Sequence, residues 1–197
     1  MIPAVILAGG ASRRMGGGVK PLLDLNGRPM ISHVIERLKP QTTQIAINAN
    51  AGDFAPFGYP LVTDSIPDRP GPLAGILAAL DWASAQGAAD VVTLAGDTPF
   101  FPDDLIDGLM AGRGDAPAAM AATREGDRLF SQSVFGLWST DLADDLRAAI
   151  NSGTRKVLDW SEPAGCVLVE FDASDDPFFN INTPDDLDVA AKRLALT

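Results

Sequence analysis

The chain has 197 residues, of which 46% are hydrophobic and 21% charged, a composition typical of a globular domain. Its 15 basic and 26 acidic residues give a formal net charge of -11, which repels nucleic-acid backbones and argues against a DNA or RNA partner. A single cysteine, Cys166, excludes an internal disulfide and is typical of a protein in a reducing cytosol.

The apolar stretches are all shorter than the roughly 20 residues that cross a bilayer, so no membrane partner is expected. The run at residues 1–10 lacks the basic segment of a secretory signal. No linker, repeat or low-complexity tract divides the chain. We therefore expect a cytoplasmic, monomeric protein that forms one domain over residues 1–197.

Apolar runs and helical spacings alternate along the chain. The first apolar run is continuous and stops at two glycines, as in a strand that is buried on both faces of a parallel sheet. Strands are predicted at residues 3–8, 44–48, 59–63, 90–95, 116–123, 129–138 and 166–171. Helices are predicted from residue 29 onward, at residues 72–86, 102–111, 142–150 and 155–160, and after Thr183.

Two of the helix starts carry specific signals. Asp103 and Asp104 are predicted in the first turn of the third helix, where the helix dipole favours carboxylates. The last helix has Pro184 at its first position, and Asp186 follows Thr183 by three residues. That spacing predicts a capping box with aspartate in place of the usual glutamate or glutamine.

The alternation of strands and helices predicts a three-layer α/β fold with a mostly parallel central sheet. The strands at 116–123 and 129–138 are separated by a polar turn and are expected to form an antiparallel portion. Ligands of open α/β sheets bind outside the carboxyl ends of the strands. The segments that follow the strands are therefore the candidate site.

The segment at residues 7–20 (LAGGASRRMGGGVK) follows the first strand and is rich in glycine. Glycine lets the backbone approach a ligand closely, and exposed N–H groups can hold phosphate oxygens. Arg13, Arg14 and Lys20 make it the densest basic segment of an acidic chain, which predicts a phosphate-binding loop. The loop matches neither the Walker A pattern nor G-x-G-x-x-G, which argues against an ATPase or a dehydrogenase.

Further short motifs extend along most of the chain: LNGRPM at 25–30, NAN at 48–50, GPLAG at 71–75, GDTP at 96–99 and NINTP at 180–184. Together with the glycine-rich segment, they resemble the nucleotidyltransferases related to molybdenum cofactor guanylyltransferase. The resemblance implies a Rossmann-like nucleotidyltransferase fold. It also implies transfer of GMP from GTP to molybdopterin carrying molybdenum, with release of pyrophosphate, and contacts with proteins of molybdenum insertion and molybdoenzyme maturation.

The resemblance also assigns residues. It makes Arg14, Lys20 and Asp97 the catalytic residues, with Asp97 as the ligand of Mg²⁺. The residues that it places at the nucleotide are Leu7, Ala8, Gly9, Gly10, Lys20, Asn48, Asp64 and Asp97. This agrees with the chemistry, because fixed cations and a metal stabilise the charge that develops on the α-phosphate and on departing pyrophosphate. No protein nucleophile is needed, since the acceptor's own phosphate attacks.

A second group of residues is expected on the pterin side. Asn180 and Asn182 flank one position of an extended segment, so both can point to the same face. Arg155 and Lys156 lie in a stretch that resembles one thought to face the pterin in the family. The alternatives are a turn that caps the final helix for the two asparagines, and an exposed basic helix start for the arginine and lysine.

Other functions stay open on the sequence. One is a cytidylyltransferase acting on the same pterin, or a transferase acting on a sugar or lipid phosphate. Another is a non-catalytic protein that delivers nucleotide or cofactor. Such a protein is expected to keep the basic loop and to lose the metal ligand, so the presence of both Lys20 and Asp97 argues against it.

Overall fold

The computed structural model describes residues 2–9, 18–66 and 71–196. Within these residues the chain forms nine strands, six α-helices and three short 3₁₀-helices. The strands are β1 (Ala4–Leu7), β2 (Asp24–Leu25), β3 (Arg28–Pro29), β4 (Ile45–Asn48), β5 (Leu61–Val62), β6 (Asp90–Ala95), β7 (Ala118–Glu125), β8 (Arg128–Ser139) and β9 (Cys166–Phe171). The helices are α1 (Met30–Leu38), α2 (Pro72–Ala85), α3 (Leu105–Arg113), α4 (Ala143–Ser152), α5 (Val157–Ser161) and α6 (Pro184–Leu194).

Seven of the described strands form one sheet in the order β5-β4-β1-β6-β8-β7-β9, and β2 and β3 form a separate hairpin. Strands β5, β4, β1 and β6 are parallel to one another. Strand β8 runs antiparallel to both β6 and β7, and β9 is parallel to β7. The predicted parallel sheet and its antiparallel portion are thus confirmed.

Helices cover both faces of the sheet. Strand β1 alternates, because Ala4 and Ile6 pack into a core with α1 and α3, whereas Val5 packs into a second core with α2 and α4. Both faces are buried, which explains why β1 is a continuous apolar run. Since α1 and α2 lie on opposite faces, the chain reverses its winding direction between β1 and β6. Such a reversal opens a crevice at the carboxyl ends of those two strands.

The structure corrects one helix start. The helix predicted at 102–111 begins at Leu105, so Asp103 and Asp104 precede it, and Asp104 makes no side-chain cap bond. The cap comes from Gln41 instead, whose Oε1 accepts the Ile106 N–H at 3.0 Å. A side chain 65 residues away therefore satisfies this helix end.

Other boundaries move by smaller amounts. The strand predicted at 59–63 shortens to β5, the helix predicted at 155–160 becomes α5, and β6 and β9 match their predicted bounds. The predicted capping box of α6 is confirmed, since Thr183 and Asp186 exchange side-chain and backbone hydrogen bonds. None of the helices in the described part of the chain combines the length and the apolar character of a membrane-spanning segment.

Candidate active site

Lys20 lies at the centre of a polar cluster. Its Nζ donates to Asp97 Oδ2 at 2.6 Å, to Asn182 Oδ1 at 2.7 Å and to Asn180 Oδ1 at 3.0 Å. An ammonium group has three N–H donors, so each of them has an acceptor here. Lys20 is only 7% exposed, and the carboxylate balances its charge in this buried position.

The backbone holds Asp97 in this cluster. Asp97 follows β6 after Gly96, whose N–H donates to the Leu7 carbonyl at 3.0 Å, so the ends of β6 and β1 stay joined. The Asp97 carbonyl accepts the Ile181 N–H at 3.1 Å, which ties the final extended segment to the same point. A Cβ on Gly96 would lie 3.2 Å from Pro21 Cγ, so the absence of a side chain there lets the turn that contains Lys20 pack closely.

The two asparagines reach Lys20 from an extended segment that the start of α6 fixes. Asp186 accepts the N–H groups of Asn182 and Thr183, each at 2.8 Å. These hydrogen bonds, first that from Asn182, hold the pKa of the Asp186 carboxyl below its usual value. Asn180 and Asn182 do point to the same face. The cap at the start of α6 is made by Thr183 and Asp186, and Asn182 joins it only through its backbone N–H, so its side chain stays available to Lys20.

The chemistry of this cluster fits a hard divalent cation. One carboxylate and two amide oxygens converge on the position that the Lys20 ammonium holds, and Mg²⁺ prefers oxygen ligands with few carboxylates when phosphates complete its coordination. Within residues 2–9, 18–66 and 71–196, no group of three or more His, Cys, Asp or Glu side chains is placed to hold a metal. Asp97 is therefore the carboxylate that such a cation has available in this cluster.

A second polar cluster lies beyond the ends of β4 and β5. Asn48 Nδ2 donates to the Val62 carbonyl at 3.1 Å and to Asp64 Oδ1 at 3.0 Å. Asn50 Nδ2 donates to Asp64 Oδ2 at 2.6 Å, and Asn50 Oδ1 accepts the Asp64 N–H at 2.9 Å. Asp64 is thus held by two asparagines that alternate along one extended segment.

The start of α2 packs directly against this cluster. Gly71, with φ 144°, precedes Pro72 at the first helical position. A Cβ on Gly75 would lie 2.8 Å from Asn48 Oδ1 and 3.1 Å from Leu7 Cδ2. The helix can therefore approach the strand ends only because residue 75 has no side chain. This explains the second glycine of the GPLAG motif.

One cavity of about 280 Å³ joins the two clusters. It is lined by Leu7, Gly9, Asn48, Asn50, Asp64, Gly71, Pro72, Gly75, Ala95, Asp97, Val134 and Asn180. It opens at the carboxyl ends of the parallel strands, as expected for a ligand site in such a sheet. A larger surface groove, of about 580 Å³ between α1 and the end of α6, contains none of the predicted site residues.

Most of the predicted nucleotide residues that the structure describes line this cavity. Ala8 is fully buried and instead donates its N–H to the Asn48 carbonyl at 2.8 Å. Lys20 reaches the cavity through its bonds to Asp97 and Asn180. Gly10 and Arg14, and also Arg13, lie outside the described residues.

Arg155 and Lys156, the basic pair predicted on the pterin side, do not line this cavity. Arg155 Nη1 donates to the carbonyls of Ile150 at 3.0 Å and Thr154 at 2.6 Å, which satisfies the end of α4. Lys156 is exposed and immediately precedes α5. Neither is among the described residues that line the cavity. Their role toward a pterin stays a prediction.

Six lining residues were not among the predicted site residues: Asn50, Gly71, Pro72, Gly75, Ala95 and Val134. Asn50 carried a usable signal, because residues two apart in an extended segment face the same side, and Asn48 was already assigned. The two glycines belong to a motif whose glycines suggested a close approach to a ligand. Val134 lies within β8 and had no polar or spacing signal.

The chain is similar to known proteins over almost its whole length. Residues 4–164 match the model of the MobA-like NTP transferase domain. The molybdenum cofactor guanylyltransferase of Nitrobacter hamburgensis is 44% identical over 97% of this chain and 93% of its own. That of Mesorhizobium japonicum is 45% identical over 98% of this chain and 96% of its own. A solved structure, molybdopterin-guanine dinucleotide biosynthesis protein A from Archaeoglobus fulgidus, superposes with a TM-score of 0.77 at 26% identity and covers 100% of both chains.

Proposed function

Because the chain belongs to the family of MobA-like NTP transferases, we propose that it transfers GMP from GTP to molybdopterin that carries molybdenum. The products are the guanine dinucleotide form of the cofactor and pyrophosphate. The names of the relatives from Nitrobacter and Mesorhizobium support this choice of substrates.

The observation that carries the proposal is the cavity of about 280 Å³ that connects the two polar clusters. The cluster of Lys20 and Asp97 suits charged phosphates and a cation, whereas the cluster of Asn48 and Asp64 offers neutral and anionic acceptors for a nucleoside. A triphosphate therefore lies with its phosphates toward β6 and its nucleoside toward β5. Leu7, Gly9 and Gly75 are the apolar or small residues between them.

In the reaction, an oxygen of the acceptor's phosphate forms a bond to the α-phosphorus of GTP. The bond from that phosphorus to the bridging oxygen breaks, and pyrophosphate leaves with the electron pair. Lys20 exchanges its contact with Asp97 for phosphate oxygens, where its charge offsets the charge that develops in the transition state. A divalent cation held by Asp97 would supply further charge neutralisation on the phosphates. Arg14 is proposed as a further cation for the phosphates.

The proposed orientation of GTP also indicates which residues contact the acceptor. Asn180 and Asn182 contact Lys20 beside Asp97, and their Oδ1 atoms lose that contact once Lys20 turns to GTP, so we assign both residues to the acceptor's side. Catalysis then consists of positioning and electrostatics, without a covalent enzyme intermediate. The absence of an activated nucleophile in the described cavity lining is consistent with this, because the attacking group already carries negative charge.

The test is incubation of the protein with molybdenum-bearing molybdopterin, Mg²⁺ and either GTP or CTP, followed by mass analysis of the product. We expect the mass of the guanine dinucleotide with GTP and pyrophosphate in equal amount. A cytosine dinucleotide as the main product would contradict the choice of base. Binding of GTP without any product would contradict the choice of acceptor.

A further inference from the structure

Asn50 and Asp64 are hydrogen-bonded to each other at the end of the cavity nearest the carboxyl end of β5. The Asn50 side chain donates to the Asp64 carboxylate at 2.6 Å and accepts from the Asp64 backbone N–H at 2.9 Å. These two hydrogen bonds fix the carboxylate relative to the backbone of Asp64. Asn48 holds the other carboxylate oxygen at 3.0 Å. Both oxygens of Asp64 are therefore fixed in position.

The carboxylate keeps acceptor capacity on its cavity side. A carboxylate has about four lone-pair sites, and the two amide N–H groups of Asn48 and Asn50 use one on each oxygen. One site on each oxygen is left, and Asp64 lines the cavity. The group is thus oriented to receive two neighbouring N–H donors at once.

The order of strands indicates which part of a nucleotide reaches Asp64. Asp97 follows β6, Leu7 ends β1, Asn48 ends β4, and Asp64 lies just beyond β5. Three strand spacings separate β6 from β5, which is about 14 Å at the usual spacing of strands in a sheet. With the phosphates at Asp97, the ribose lies near β1 and β4, and the far edge of the base lies at Asp64.

The edge of guanine suits such an acceptor. Guanine presents its ring N1–H beside its 2-amino group, so two adjacent donors can meet the two carboxylate oxygens. Cytosine presents one amino donor beside a ring nitrogen that is an acceptor, and that nitrogen would face a carboxylate oxygen. A fixed carboxylate therefore favours guanine through attraction and disfavours cytosine through repulsion.

We propose that Asn50 is a positioning residue for base selection, which holds Asp64 so that its carboxylate receives the N1–H and the 2-amino group of guanine. This assignment rests on the proposed function, since it takes GTP as the nucleotide. It adds a residue that acts through Asp64 and a physical reason for the choice between guanine and cytosine.

The test compares the binding of three nucleotides with Mg²⁺ by calorimetric titration: GTP, ITP, which lacks the 2-amino group, and 2′-deoxy-GTP. We expect the unaltered protein to bind GTP about 10-fold more tightly than ITP, because a hydrogen bond to a charged group is lost. In Asn50→Ala this preference falls to about 2-fold, while the preference for GTP over 2′-deoxy-GTP is unchanged. The control is Asn151→Ala, at an exposed position of α4, which keeps both preferences.

A double-mutant cycle separates positioning from a general structural role. In the background of Asp64→Ala, we expect Asn50→Ala to cause no further change in the preference for GTP over ITP, because Asn50 acts through the carboxylate. An equal loss in both backgrounds contradicts the proposal. So does an unchanged preference in Asn50→Ala, or a change confined to the comparison of GTP with 2′-deoxy-GTP, which would place the ribose at Asp64. Melting curves of the nucleotide-free variants show whether each has folded.

Failure of this assignment differs from failure of the proposed function. If the protein makes the guanine dinucleotide but Asn50→Ala leaves base preference unchanged, only the role of Asn50 is wrong. If the unaltered protein forms no product with GTP but its preference for GTP over ITP depends on Asn50, the proposed reaction is wrong and the role of Asn50 stands.

Discussion

The two halves of the sheet differ in how their strands are connected at the carboxyl ends of the parallel strands, where the cavity lies. In the half made of β5, β4, β1 and β6, every strand is parallel and crossover helices leave on opposite faces, so a crevice opens between strand ends. In the other half, β7 turns at once into β8, and the hairpin pairs its own backbone. The difference shows that connectivity, more than the number of polar residues, decides where a ligand can be held.

The two halves also differ in how far their ion pairs are exposed to solvent. Lys20 and Asp97 have side chains that are 9% and 19% exposed, and two further amides share the contact. Arg124 and Glu170, on β7 and β9, have side chains that are 45% and 46% exposed. Their hydrogen bonds hold the pKa of Glu170 below its usual value, yet water screens the pair. We propose that the first pair belongs to the nucleotide site, whereas the second is a solvent-screened pair on the surface of the sheet.

The largest effects are expected at Lys20 and Asp97, and Lys20→Met removes the described cation of the cavity. Transfer of GMP should fall by about 100-fold or more, because a fixed charge at the reacting phosphate is lost. The measurement is the initial rate of product formation by mass analysis. Lys39→Met, which removes a charge at an exposed position just after α1, is the matched control and should keep its rate. A rate for Lys20→Met near that of the control contradicts the role of the first cluster.

Asp97→Ala should remove turnover and leave part of the GTP binding, because the nucleoside contacts near β4 and β5 are unchanged. The rate of product formation and the dissociation constant of GTP are measured on the same preparation. Asp188→Ala, at an exposed position of α6, serves as the control for loss of a carboxylate. Undiminished product formation by Asp97→Ala would show that Asp97 is not a ligand of the divalent cation.

Gly75→Ala should weaken GTP binding by about 10-fold and also lower the melting temperature, because the new Cβ overpacks a buried contact and this cost outweighs the gain in helix propensity. The new Cβ lies 2.8 Å from Asn48 Oδ1 and displaces that side chain. Titration with GTP and a melting curve measure the two effects. Ser84→Ala, exposed on the same helix, should change neither. A lower melting temperature with normal GTP affinity would show that Gly75 serves packing alone.

The strand pattern of the sequence predicted where Asp97 and Asn48 lie, whereas their roles came from the resemblance to the nucleotidyltransferase family. The apolar run of β6 fixed the position of Asp97, and the run of β4 fixed that of Asn48. Contacts between distant side chains could not be predicted in this way. Gln41 caps α3 from 65 residues away, and Asn50 holds Asp64 across 14 residues. No spacing rule relates such pairs, since the fold alone brings them together.

The smallest effect is expected for Arg155→Ala. Its guanidinium satisfies two backbone carbonyls at the end of α4, so its loss should lower the free energy of unfolding by about 1 kcal/mol and leave GTP affinity unchanged. Urea unfolding and GTP titration measure these quantities. Unchanged stability together with a raised KM for molybdopterin would instead support the predicted contact with the pterin and contradict the capping role.

The most direct test of the central claim, that the carboxyl ends of the parallel strands hold GTP, is hydrogen–deuterium exchange with and without GTP and Mg²⁺. We expect added protection in residues 45–50, 61–64, 71–77, 95–98 and 180–182, and no change in β7 or β9. Protection that is concentrated in β7 and β9, with none at Asn48, Asp64 or Asp97, would contradict the account.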